Sequence, residues 1–100
     1  MKQILCILFL VSQFTLTAQT TISGKVTDSK KQPIIGASVY LDGTYDGTST
    51  NEKGEFSFPT SEKETQTLVI SFISFETYIK TEDVSSLKNL KIKLSLKIDR

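Results

Sequence analysis

The chain has 100 residues and a formal charge of +1, which limits it to one small domain and gives no basic or acidic excess for nucleic acid or a charged membrane surface. It contains no His, no Trp and one Cys, so Ser-His-Asp catalysis, Cys-His catalysis and any disulfide within the chain are excluded. Aromatic and β-branched residues are plentiful enough for a packed core.

The first 18 residues differ from the rest. Lys2 precedes an unbroken apolar run at residues 4–11, and the more polar residues 12–18 end on Ala18. This is the order of a secretory signal peptide, predicted over residues 1–18 with cleavage after Ala18. The run is far shorter than the about 20 residues of a membrane span. Cys6 lies inside it and leaves with it. Residues 19–100 then form one exported domain, with no cysteine for a redox or thiolate centre. Without Lys2 the 12 basic residues become 11, equal to the 11 acidic ones.

Period-2 alternation dominates residues 19–100, as expected of half-buried strands. Ile22, Gly24 and Val26 alternate with Ser23, Lys25 and Thr27 in a first strand, and residues 28–32 are a polar loop closed by Pro33. Val39 and Leu41 mark a second strand, ended by Asp42-Gly43. Asp46-Gly47 is a further turn signal before a β-prone piece at residues 48–50. Asn51 and Gly54 fit the first and fourth positions of a type I turn. Phe56 and Phe58 form a short strand, and residues 59–66 read as a loop. Leu68, Ile70 and Phe72 alternate with Val69, Ser71 and Ile73, and residues 75–82 read as a strand with Ile79 inward. Residues 83–89 carry a weak helical-turn signal. Last, Leu90, Ile92, Leu94, Leu96 and Ile98 alternate with Lys91, Lys93, Ser95, Lys97 and Asp99, giving one apolar and one charged face. Short strands divided by turn signals predict an all-β sandwich.

Chemistry is scarce. Asp28, Asp42, Asp46, Glu52, Glu62, Glu64 and Glu82 fall in turns, loops or strand ends, where burial does not raise a carboxyl pKa. Asp42, Asp46, Asn51 and Glu52 are the densest set of oxygen donors, but they do not match a calcium-loop spacing and turn geometry explains them. No metal or cofactor is expected. Lys88, Lys91, Lys93 and Lys97 offer a basic stripe for phosphate or lipid headgroups, or lysines that stop an edge strand from pairing; the second reading is preferred. Tyr40, Tyr45 and Tyr78 are candidate surface contacts for a glycan, against the plainer reading of scattered tyrosines.

The turn residues read together form a pattern: Ile22, Gly24, Val26 and Asp28; then Pro33 to Val39 with Gly36-Ala37; then Gly43-Thr44, Gly47-Thr48-Ser49-Thr50-Asn51, Gly54-Glu55-Phe56 and Leu68 to Phe75. This resembles the carboxypeptidase regulatory-like (carboxypeptidase D regulatory-like) domain over about residues 20–98. Each glycine is expected where a hairpin reverses, with Gly36, Gly43, Gly47, Asn51 and Gly54 as the structural turns and Phe56, Ile70 and Phe72 in one core. Where the family usually has Asp, Asn51 keeps the capping oxygen.

The resemblance implies a transthyretin-like (Ig-like) Greek-key β-sandwich of about seven short strands. It carries over no catalytic residue, and the fold's His-dependent hydroxyisourate hydrolase relatives do not fit a chain without His. Such domains often follow a signal peptide in TonB-dependent outer-membrane receptors, on the periplasmic side and ahead of plug and barrel. The function implied is a non-catalytic accessory or interaction domain of the cell envelope. Its expected partners are envelope proteins, either the receptor's plug and barrel or the energy-coupling apparatus. The alternative is a free-standing periplasmic or surface module that binds glycan or another protein. No barrel strands are present in these residues, so they are expected to be a fragment of a larger receptor-like protein, a truncated copy or a free domain.

Overall fold

The computed structural model describes residues 19–97. The signal-peptide reading of residues 1–18 and the placement of Ile98 lie outside the described residues. Seven strands follow in order: β1 (Thr20–Thr27), β2 (Ser38–Leu41), β3 (Gly47–Ser49), β4 (Glu55–Thr60), β5 (Thr65–Ser71), β6 (Tyr78–Asp83) and β7 (Leu90–Lys93), with a 3-10 turn at Val84–Ser86 before β7. They form two sheets, ordered β4-β1-β7 and β3-β2-β5-β6. The chain crosses between sheets after β1, β3, β4 and β6. All pairs are antiparallel except β1 with β7, which is parallel.

Alternation puts one face of each sheet on a shared core. β1 contributes Ile22 and Val26, β2 Val39 and Leu41, β4 Phe56 and Phe58, β5 Leu68 and Ile70, and β7 Ile92. Val84 and Leu87 close one end, and Phe72, Phe75 and Tyr78 pack against the margin. Gly24 faces inward in β1 opposite Phe56, and the Phe56 ring covers the space a side chain would fill. Gly24, which alternation places in the first strand, is thus a packing glycine. Gly47 also lies in a strand: it opens β3, with Val39 O only 2.6 Å from where its Cβ would stand.

Strand limits and phases depart from alternation in four places. Pro59 and Thr60 belong to β4, and Thr65 and Gln66 to β5, so the loop over residues 59–66 is shorter than expected. Pro59 is tolerated because β4 is an edge strand, where a missing N–H costs no ladder bond. β6 starts at Tyr78, and its phase is opposite to the expectation. Ile70 pairs with Tyr78, and Val69 with Ile79, so Tyr78 faces the core while Ile79 stands outside at 63% exposure. A one-residue phase change reverses every side chain. The last strand ends at Lys93. Leu94 stays buried, but the chain then crosses to the connection between β5 and β6, where Phe75 bridges Leu96, and Leu96 turns outward at 59% exposure.

Two buried threonines tie loops to the core. Thr50 Oγ1 donates to Ile34 O at 2.6 Å and accepts from the Ala37 N–H at 2.8 Å. Thr60 Oγ1 donates to Asp46 Oδ2 at 2.6 Å and accepts from the Glu62 N–H at 3.1 Å. Thr50→Val keeps the shape but leaves the Ala37 N–H without its acceptor. It is expected to lower unfolding stability by about 1–2 kcal/mol in denaturant titration. Equal stability of Thr50→Val and the parent would show that the hydroxyl is dispensable.

Candidate interaction surface

The polar residues that the sequence brings forward are largely committed to holding turns. Asp28 Oδ1 accepts from the N–H groups of Lys30 and Gln32, at 2.8 and 2.9 Å. Asn51 Oδ1 accepts from Lys53 and Glu55, both at 2.9 Å. The backbone repeats as well: Asp28 N–H donates to Gln32 O and Lys31 N–H to Asp28 O, as Asn51 N–H does to Glu55 O and Gly54 N–H to Asn51 O. The fourth residue of each loop has positive φ, 67° at Lys31 and 75° at Gly54. One loop geometry is therefore used twice, at the end of β1 and the start of β4. The side-chain acceptor satisfies two N–H groups where the chain reverses. Gly36 and Gly43 also have positive φ, at 84° and 81°.

The carboxylates do not converge. Asp46 is engaged by Thr60 and Asn51 by its own loop, and among the described residues no three His, Cys, Asp or Glu side chains are grouped to hold a metal ion. The three tyrosines do not share a surface. Tyr45 is fully exposed in the β2–β3 loop, Tyr40 stands on the outer face of the four-stranded sheet, and Tyr78 is half-buried toward the core.

Two charged groups at β6 are perturbed. Lys80 is raised above its ordinary value by its hydrogen bond and 3.0 Å ion pair with Glu82. Asp83 caps the 3-10 turn, and its carboxyl is held below the usual aspartate range by the Ser85 hydroxyl, then by the Ser85 N–H. A depressed folded-state pKa stabilises the fold above the unfolded aspartate value near 4. That contribution is lost as pH falls through the lower folded value. The Ser85 amide resonance is expected to titrate with a midpoint below about 4 in the parent and not in Asp83→Asn. A midpoint at or above the unfolded value would contradict the cap.

The lysines are regrouped by the sheet. Lys91 and Lys93 point outward from β7, an edge strand. Lys25 lies beside Lys91 on the central strand β1, with Glu55 on its other side. Lys31 lines the same open depression, about 800 Å³ in volume, as Lys25, Lys91 and Lys93. Lys88 sits in the turn before β7, and Lys97 lies at the far corner, its N–H bonded to Ser74 O. The expected stripe is therefore divided, and Lys25 and Lys31, which alternation alone does not place in it, join Lys91 and Lys93. Parallel pairing of β7 with β1, separated by most of the chain, brings the four together.

A second feature is apolar. Ile35, Ile73 and Leu96 are exposed at 55%, 81% and 59%. Ile73 lines a depression with Gly36 and Lys97, over the Phe72 and Phe75 rings, whose centroids are 6.0 Å apart. Large exposed apolar side chains mark an interaction surface more often when they are contiguous than when they are scattered.

Two sheets of three and four strands around one apolar core define an immunoglobulin-like β-sandwich module. The chain belongs to the CarboxypepD_reg-like domain family, whose model matches residues 22–100. It is 40% identical over 58 residues to the TonB-dependent receptor SusC of Bacteroides thetaiotaomicron, covering 58% of this chain and 6% of the receptor. The chain thus spans a small fraction of that relative's length. Two solved structures share the fold. One is an N-terminal interface mutant of a type II cohesin–X–dockerin complex from Acetivibrio cellulolyticus, with TM-score 0.66 and 24% identity, over 77% of this chain and 58% of that chain. The other is the C-terminal interface mutant of the same complex, with TM-score 0.56 and 24% identity, over 76% and 52%.

Proposed function

We propose that this chain is an exported, non-catalytic interaction domain on the periplasmic side of the outer membrane, working within a TonB-dependent receptor-like protein. The observation that carries this reading is the 40% identity to a receptor of that class, within a family whose model matches nearly all of the described domain. The exposure of Ile35, Ile73 and Leu96 supports it, because uncovered apolar side chains suit contact with a neighbouring domain. The non-catalytic part is supported by the missing His and by the use of Asp28, Asp46, Asn51 and Asp83 as turn and cap acceptors. The export part rests on the signal-peptide pattern of residues 1–18.

The test is the mass and location of the native protein, detected in cell fractions with an antibody raised against this domain. A mass well above the 11.1 kDa of these 100 residues, in the outer membrane, is the expected result. A species no larger than that in the soluble periplasm would overturn the receptor reading and leave a free-standing module.

A further inference from the structure

We propose that the outer face of the β4-β1-β7 sheet receives an extended acidic peptide segment, held by Lys25, Lys31, Lys91 and Lys93. This specifies a partner for the interaction-domain reading and in that sense rests on it. Folding alone does not explain the cluster. Lysines on an edge strand discourage unwanted pairing, which accounts for Lys91 and Lys93. It does not account for Lys25, which lies on the central strand directly abreast of Lys91, where like charges repel. Nor does it account for Lys31, whose φ of 67° the loop explains but whose cationic side chain lining the same depression it does not. None of the four forms an ion pair among the described residues, and Glu55 is the one carboxylate lining the depression.

The charge is also segregated. The outer face of the other sheet presents Tyr40, Thr67, Val69, Ile79 and Thr81, with Thr67 and Thr81 hydroxyls bonded to each other at 2.9 Å. Positive charge is therefore placed on one sheet face and withheld from the other.

Spacing points to the shape of the partner. Neighbouring strands lie about 4.8 Å apart, and alternate residues along a strand about 6.6 Å apart. Lys25 beside Lys91, and Lys91 two residues before Lys93, follow those two spacings. Carboxylates at alternate positions of an extended peptide repeat at the same interval, whereas a compact anion spans only one or two of the ammonium groups. The free edge of β7 carries no strand among the described residues, so the peptide backbone can pair there while its acidic side chains cover the lysine face.

The experiment titrates the full, isotopically labelled chain with a blocked synthetic peptide alternating Glu and Thr, and with its Lys–Thr counterpart. Amide shifts confined to β1, β7 and the loop at residues 28–32, weakening as salt rises, are expected for the acidic peptide alone. Lys25→Gln combined with Lys91→Gln is expected to weaken binding about tenfold, and Lys53→Gln to leave it unchanged. An unchanged thermal midpoint checks that the double variant folds. Absence of shifts, equal binding by both peptides, equal binding by the double variant, or preference for phosphatidylglycerol vesicles over the peptide would each overturn the proposal. None of these outcomes bears on the mass and location of the native protein, so the two readings fail separately.

Discussion

Gly54→Ala is expected to destabilise the domain by about 3 kcal/mol, of which the left-handed backbone accounts for about 1–2. Gly54 has a φ of 75°, which an L side chain adopts only with strain. The rest is contact. An added Cβ would stand 2.5 Å from Val26 O and 3.0 Å from Pro33 Cβ. Gly54 cannot back away freely, because its carbonyl accepts from the Val26 N–H at 2.8 Å, while Val26 O accepts from the Ile34 N–H at 3.0 Å. Relieving the clash therefore loosens the hold between β1 and the start of β4. Gly36 and Gly43 serve as internal controls, since each has positive φ with nothing within 4 Å of its missing Cβ. Their alanine variants are expected to lose only about 1–2 kcal/mol each. Chemical denaturation of the three variants separates strain from contact, and equal losses would remove the contact argument. Domains of this size are stable by about 0.05–0.15 kcal/mol per residue, so the Gly54 loss is a large share of the total.

Gly24→Ala is expected to cost about 2–3 kcal/mol through overpacking. Here the backbone is ordinary extended chain, and the whole effect comes from the core. The new Cβ would meet the Phe56 ring at 2.7 Å and Leu90 O at 2.8 Å. The ring can tilt, but Leu90 O belongs to the backbone of β7 and can move only with the strand. Adding Phe56→Leu to the Gly24→Ala chain is therefore expected to recover part of the loss, with a coupling of about 1 kcal/mol in a double-mutant cycle. Full recovery would mean that β7 yields freely, and no initial loss would mean that β1 is not the tightly packed centre of its sheet.

Local chemistry was legible in the chain. Asp28 and Asn51 are the residues whose short acceptors favour such turns, and the structure puts each at the head of the same loop. Alternation located β1, β2, β4 and β5 and most of their core residues. The resemblance at residues 20–98 led to the family that the match over residues 22–100 shows. Gly47 escaped because glycine after Asp reads as a turn unless the neighbours across the sheet are known, while Gly24, read within the first strand, revealed its packing role only once Phe56 was placed opposite it. Thr50 and Thr60 escaped for a similar reason. A threonine carries no sequence mark of burial, and their partners lie 16 and 14 residues away at Ile34 and Asp46.

Period, turn geometry and composition set the class of fold, the main reversals and the residue types available for chemistry. Tertiary structure alone decided phase and neighbourhood. Ile79 and Leu96 are as apolar as their buried counterparts, yet pairing with Val69 and crossing to Phe75 turn them outward. Lys25 and Lys91 lie far apart in the chain, and parallel pairing makes them one charged face. The physical reason is that a strand has two equivalent faces, and only the strand laid beside it settles which face meets the core and which side chains stand together.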